Sequence, residues 1–488
     1  MHTIRESTER RSPIESGAKP GITLAAVAVV QFMVSLDLSV VNVGLPQIGA
    51  GLGFSSVGLT WVIHAYALTF GGLLLLGGKA ADRYGRKRVL LLGLGLFGLA
   101  SLLGGLAQEP AHLVAARAAQ GVGAAALAPA ALALLTAAFP SGKARIRAFG
   151  VWSATNAAGG ALGVLIGGLL TEYAGWRWVM FVNVPMAAGA LALAWRGVAA
   201  GPPPARGGRP DVLGAVLATA GMTLLVFGIV RIDQDSWTSP VTLLAAAVLL
   251  AAFVRVERTT TREPLIRLGL FANRSVAGAN GFNLLTGAAM ASSFYFMSLY
   301  LQHVLGIGPA RAGLMFMPFA FAVIVGSVLA VKLGYRLAPR TLLVGGGLVT
   351  AAGFTWFGLI SAHGAFATDV LGPSVVAGTG FGLCLGPLVS IATAGVADHE
   401  TGTASGLLNS SRQIGASLGL AVLGTLASNR TGQTVTPQTL NNGYALGLSL
   451  GAALLLAAAL LALTVLRGAG SPSRADQVDD RDLLAVRD

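Results

Sequence analysis

The chain has 488 residues, 54% of them hydrophobic and only 11% charged. Soluble domains carry roughly a quarter of their residues as charges, so a water-soluble globule is excluded and the bilayer is the natural solvent. The formal charge of +13 does not point to nucleic acid, because the basic residues are spread over short loops between apolar runs, as the positive-inside rule produces.

Crossing a hydrocarbon core about 30 Å thick takes about 20 mostly apolar residues. Such runs predict an all-α, polytopic chain with fourteen spans: 22–45, 57–77, 88–107, 111–138, 148–171, 178–198, 211–231, 238–256, 276–301, 309–332, 341–361, 369–396, 404–428 and 442–466. The first span follows Arg5, Arg10, Arg11 and Lys19, as a signal peptide would. It is longer than a signal core and lacks a small-residue cleavage site, so it reads as a retained helix.

With both termini on one side, that side collects nearly all the Lys and Arg. The opposite loops hold only Arg177, Arg231, Arg311 and Arg430, while Arg117 and Arg412 fall inside spans. This bias predicts cytoplasmic termini and an even number of spans. Residues 1–20 and 468–488 read as polar cytoplasmic tails, the second disordered. Residues 21–200 hold six spans, 201–275 hold linkers around two inserted spans, and 276–467 hold six more.

Span one carries Leu36-Asp37-Leu-Ser-Val-Val-Asn42. Asp37 is the only carboxylate deep in a predicted span. Burial favours a neutral acid and a nearby cation favours the carboxylate, so such a site can be poised to exchange a proton. Span two offers Trp61, His64 and Tyr66. His64 either lines a pathway or bonds a neighbour.

After span two comes Gly78-Lys-Ala-Ala-Asp82-Arg83-Tyr-Gly85-Arg86-Lys87-Arg88. This turn is either a positive anchor or a latch in which Asp82 caps the next helix or pairs with arginines. Span four contains Arg117-Ala-Ala-Gln120. A buried arginine is costly and marks function unless it snorkels to the interface. Counting along each helix puts Asp37 about 22 Å from the inner end and Arg117 about 9 Å from the outer end. In a core about 30 Å thick they share a depth, which predicts that they pair when Asp37 is ionised.

Span five places Gly159, Gly163 and Gly167 on one stripe, with Gly160 and Gly168 beside it, a face that lets another helix approach closely. Spans nine and ten carry Phe282, Phe294, Tyr295, Phe296, Phe316, Phe319 and Phe321. Glu172 and Asp369 lie near the predicted outer surface. Span thirteen includes Asn409-Ser-Ser-Arg412-Gln413-Ile-Gly415. The lone Cys384 excludes an intramolecular disulfide and reads as packing. Gly93-Leu-Gly95-Leu-Phe-Gly98 matches a dinucleotide fingerprint but lies inside a span with no preceding strand. No P-loop is present.

The Gly78–Arg88 loop, the Arg117 motif, the span-five glycines and the stretches around Asp37, Trp176-Arg-Trp-Val-Met-Phe-Val-Asn183 and Gly402–Gly415 together resemble the fourteen-span drug/proton antiporters of the major facilitator superfamily. The usual proline after the second antiporter glycine is Val164 here, and the equivalent C-terminal loop, Lys332-Leu-Gly334-Tyr-Arg336, is degenerate. The resemblance implies two six-helix bundles around a cavity, plus two extra helices, in a bacterial inner membrane. It implies proton coupling at Asp37 and Arg117, and a conformational latch at Gly78, Asp82, Arg83, Gly85, Arg86 and Lys87. The antiporter face would be Gly159, Gly163, Gly167 and Gly168. The substrate cavity would include Asn42, Trp61, His64, Tyr66, Gln120, Phe294, Arg412 and Gln413.

The implied activity is export of small lipophilic drugs or antibiotics by proton antiport. No catalytic residue, metal, cofactor, nucleic acid or ATPase subunit is implied; protons are the coupling ion and lipid is the surroundings. Proton-coupled uptake, or a membrane protein of this fold that does not transport, are the alternatives. A single deep carboxylate that also serves the proton predicts neutral or monocationic substrates, released when Asp37 takes its proton, and poor transport of dications.

Overall fold

The computed structural model describes residues 20–139, 142–199, 211–232, 237–260, 264–266, 268–396 and 401–466. The N-terminal tail through residue 19, the whole 201–210 linker and residues 467–488 lie outside them. Every regular element among the described residues is a helix. In chain order these are α1 (Pro20–Leu52), α2 (Val57–Tyr84), α3 (Arg86–Gly105), α4 (Pro110–Ala138), α5 (Gly142–Tyr173), α6 (Arg177–Gly197), α7 (Val212–Val230), α8 (Thr238–Thr259), α9 (Arg274–Val304) and α10 (Pro309–Gly334). Then follow α11 (Pro339–Phe357), α12 (Phe366–Thr393), α13 (Thr401–Thr431) and α14 (Pro437–Val465).

Twelve of these are long and apolar enough to cross a membrane by themselves. The other two, α11 and α13, occupy the remaining predicted stretches, consistent with fourteen. Helix α13 is more polar because it carries Asn409, Ser410, Ser411, Arg412 and Gln413 in sequence. Proline opens α4, α10, α11 and α14 at the first helical turn, where a missing N–H costs nothing. Thr436 adds a capping box to α14, accepting from Thr439 N at 3.2 Å.

The two sets of six pack by the same rule. Helix α1 lies against α5 and α6, α2 against α4, and α3 against α4 and α6. In the second half α9 lies against α13 and α14, α10 against α12, and α11 against α12 and α14. Each half is thus one copy of a single six-helix plan. The inserted helices α7 and α8 pack on each other, and α7 rests on both α2 and α13.

Glycine sets the closest approaches. A Cβ on Gly159 would lie 2.6 Å from the Phe32 carbonyl oxygen, on Gly163 2.9 Å from that of Leu36, and on Gly167 2.7 Å from that of Val40. The stripe therefore seats α5 directly on the backbone of α1. Gly168 faces elsewhere: its Cβ would meet the Pro309 oxygen of α10 at 2.4 Å, across the seam between halves. Helix α13 repeats the device on α9, with Gly415 against Leu284 and Gly419 against Ala288.

At the end where α1 begins, each half keeps its own core: Val27, Met33, Phe70 and Phe97 in one, Phe282, Leu343 and Leu388 in the other. At the end where α1 finishes, one shared cluster joins Val40, Leu45 and Ile48 to Tyr300, Leu301 and Leu423. Hydrogen bonds reinforce that closure. Ser298 Oγ donates to the Asn42 carbonyl at 2.7 Å, and Gln302 Nε2 to the Val43 carbonyl at 2.9 Å. Gln47 Nε2 donates to Gln302 Oε1 at 3.0 Å. Glu172 caps α10 by accepting from Ala310 N at 2.8 Å.

Candidate functional site

Asp37 is wholly buried in α1, and its carboxylate accepts three hydrogen bonds from two other helices. Arg117 Nη1 of α4 donates to Oδ2 at 2.7 Å. Asn183 Nδ2 of α6 donates to Oδ1 at 2.7 Å, and Gln120 Nε2 of α4 donates to Oδ1 at 3.2 Å. The arginine is equally enclosed. Its Nε donates to the Val62 carbonyl at 3.0 Å, Nη1 also reaches Gln120 Oε1 at 2.9 Å, and the guanidinium stacks 4.4 Å above the Tyr66 ring. Gln120 Nε2 further donates to Ser101 Oγ of α3 at 2.6 Å. Arg117 is 2% exposed, so it does not snorkel.

This is a neutral, hydrogen-bonded pair in a network drawn from five helices of one half. Charge-assisted bonds of this length are strong, and the surrounding low dielectric raises the cost of separating them. A proton on the carboxyl would neutralise it and leave the guanidinium without its counter-charge. The shared depth of Asp37 and Arg117 was readable from helix counting. Ser101 carried no signal. Asn183 stands in a quoted stretch but could not be aimed at Asp37 without the fold.

The remaining candidates fall in different places. Tyr66 and His64 are buried on α2, and the Tyr66 hydroxyl and both His64 nitrogens have no hydrogen-bond partner. Trp61 turns away to the inserted pair, packing on Phe227 of α7 at 5.9 Å. It belongs to that interface rather than beside Asp37. Asn42 bonds back to its own Leu38 carbonyl at 2.7 Å and serves the seal between halves.

Phe294 stacks on Phe316 at 5.6 Å and meets Phe319 edge-on at 5.4 Å, lining an apolar cavity with Met290 and Met297. Phe282 and Phe296 are packed between helices, whereas Phe321 is exposed and faces outward. Gln413 is buried and Arg412 half-buried on α13. Cys384 is buried within the second half, as the packing reading has it.

In the loop after α2, Gly85 adopts φ +97°, a left-handed turn that favours glycine. Asp82 Oδ1 lies 3.5 Å from Arg86 Nη2 across that turn. Arg86 donates to the Ala133 carbonyl at 3.3 Å and Lys87 to the Trp195 carbonyl at 2.9 Å. These partners all belong to the first half. The close approach of α2 to α4 falls at Gly77, whose Cβ would lie 2.0 Å from the Ala125 oxygen. Gly78 meets only Pro129 at 3.5 Å. The second-half loop shows a well-exposed Tyr335 in place of such ties.

Residues 27–420 match the sequence profile of the Major Facilitator Superfamily. The chain belongs to the Major Facilitator Superfamily. Among solved members of that fold, this chain superposes on the POT family transporter PepTSo with TM-score 0.67 at 15% identity, over 92% of this chain and 97% of the other. A bacterial homologue of the lysosomal transporter Spinster gives 0.64 at 18% identity, over 93% and 99%. At such identities the likeness concerns the fold: two six-helix bundles, here with two additional helices.

Sequence relatives are nearer. The cephamycin export protein CmcT of Amycolatopsis lactamdurans is 42% identical, over 88% of this chain and 90% of its own. The puromycin resistance protein pur8 of Streptomyces alboniger is 38% identical over 97% of each. The lincomycin resistance protein of Streptomyces lincolnensis is 35% identical over 82% and 83%. This facilitator is thus a multi-pass membrane transporter and not an enzyme.

Proposed function

We propose that this facilitator exports small lipophilic organic compounds, antibiotics among them, across a bacterial cytoplasmic membrane with both termini inside, and that protons entering the cell drive the export. The observation that carries the reading is the wholly buried Asp37 with Arg117 on one oxygen and two amide donors on the other. A carboxylate so placed can take up one proton only by giving up the arginine, and its helix, α1, also forms the seal against the second half. Proton binding is thereby linked to the seam at which halves must rock. The export and resistance functions named for the relatives support the direction and the class of compound.

In this cycle the outward-facing carboxyl takes a proton from outside as substrate leaves, Arg117 is freed, and the protonated carrier turns inward. Loss of the proton to the cytoplasm re-forms the pair, substrate binds from inside, and the loaded carrier opens outward. The loop after α2, tied here to its own half, would engage the second half in the opposite conformation. Because Asp37 already accepts from Arg117, Gln120 and Asn183, direct competition between substrate and proton at this carboxylate is not favoured. The link runs through the packing of α1.

Inverted membrane vesicles with an imposed pH gradient test the reading. Gradient-driven uptake of a panel of lipophilic antibiotics and dyes is expected, abolished at once by a protonophore and by Asp37→Asn. Gradient-independent accumulation, or full activity of the Asn variant, defeats it, and uptake in right-side-out vesicles under an inward gradient reverses the direction assigned. Reporter fusions after each span check the orientation; an external C-terminus overturns it.

A further inference from the structure

Arg412 is the second arginine in mid-span, and it is built differently from Arg117. It lies about 16 Å along α13 from Thr401, near mid-depth. Its carbonyl oxygen would lie 2.4 Å from a Cβ on Gly287 of α9, and the next residue, Gln413, packs its Cβ where a Cβ on Gly71 of α2 would be, 2.7 Å away. Arg412 therefore stands where the second half meets the first.

Among the described residues Arg412 has no acidic partner. Its one side-chain bond is a long 3.5 Å contact from Nη2 to Asn409 Oδ1, and its Nε is buried without an acceptor. An uncompensated guanidinium at this depth is costly and marks a ligand or a pathway. The groups around it share one character. Gln413 Nε2, the Ser410 hydroxyl and the Tyr66 hydroxyl are all buried and without partners, and Gln413, Ser410 and Tyr66 are 5%, 4% and 0% exposed. Each can donate. The one deep carboxylate nearby, Asp37, already accepts from Arg117, Gln120 and Asn183.

We infer that Arg412 forms the subsite for an anionic group of the exported compound, a carboxylate on a lipophilic body. A carboxylate has acceptors only and matches a fork of guanidinium donors; a cationic group placed there meets like charge. This deepens the export reading and revises the monocation expected from the sequence. That expectation rested on Asp37 being available to a cation, whereas Arg117, Gln120 and Asn183 occupy it.

The test uses three probes with one lipophilic body: 1-pyrenebutyric acid, its primary amide, and 1-pyrenebutylamine. Binding to the full chain in lipid nanodiscs is read by tryptophan-to-pyrene energy transfer, against empty nanodiscs, at neutral pH and without any gradient. The acid is expected to bind about tenfold more tightly than the amide, the gain of one charge-assisted contact, and the amine no better than partition. Arg412→Gln should erase the acid's advantage and leave the amide unchanged; Arg412→Lys should retain part of it. Equal binding of acid and amide by the unmodified chain, tighter binding of the amine, or a tenfold preference surviving in Arg412→Gln overturns the assignment. The ranking on the unmodified chain decides the matter even if the variants fail to fold. Export itself is read separately, by gradient-driven flux of the neutral amide, so loss of proton coupling and loss of the anion subsite are distinguishable.

Discussion

Replacing Asp37 with Asn removes the only acidic partner that Arg117 has among the described residues. One of the two oxygens becomes an NH2. Placed at the Oδ2 position it faces the Arg117 donor; placed at Oδ1 it faces the donors of Asn183 and Gln120. Either way donor meets donor. Breaking a buried pair by removing one member costs about 3–5 kcal/mol. Arg117 keeps the Val62 carbonyl, Gln120 Oε1 and the Tyr66 ring, so the lower end, about 3 kcal/mol, is expected. Arg117→Gln should cost a similar amount, leaving a buried carboxylate with amide donors alone. The double variant removes both charges and lets two amides face each other, so it should cost about 1–2 kcal/mol rather than the roughly 6 of simple addition. The lone Cys384, buried in α12, supplies the assay. A maleimide fluorophore reports thermal unfolding as this thiol becomes accessible, and each Tm is compared with the unmodified chain. A double variant whose loss equals the sum of the singles would show that the two groups do not stabilise one another, and the reasoning would fall with it.

Gln302→Ala removes the bonds to Val43 and Gln47 that close α1 on α9. A reporter cysteine at position 47 itself gives up the Gln47 bond, so the further loss of the Val43 bond, about 0.5–1.5 kcal/mol, should raise its labelling by an impermeant reagent roughly two- to tenfold, and unchanged labelling would show that the seal lies elsewhere. Gly163→Ala puts a methyl 2.9 Å from the Leu36 oxygen and should lower stability by about 1–3 kcal/mol in the maleimide melt. Gly160→Ala meets nothing nearer than Ser39 Oγ at 4.0 Å and should be neutral; equal effects of the two would refute the helix-contact assignment. Asp82→Asn and Arg86→Ala touch an exposed pair worth about 0–1 kcal/mol. Melting should barely change while transport in vesicles falls, and normal transport in both would leave the loop as a charge anchor.

Sequence alone determined the class of molecule, the stretches that become helices and the depth of each charge along them. The physical reason is the solvent: a bilayer forces every spanning backbone into a helix, so hydropathy and a 1.5 Å rise place Asp37 and Arg117 without a structure. It also showed the α5 glycine stripe, because a repeat of four is a face on any helix. What it could not supply was the direction in which each face points. Trp61 is as plausible a cavity residue as Tyr66 in one dimension, yet it sits on Phe227. Gly168 belongs to the antiporter stripe by spacing but meets α10 of the other half. Asn183 and Ser101 complete the Asp37 site from α6 and α3, and only packing brings those helices to it. The charge sign of the cavity turned on the same point. Depth along the helices already pointed Asp37 at Arg117; that Arg412 has no acidic partner among the described residues was decided only by packing, because pairing also depends on which helices touch.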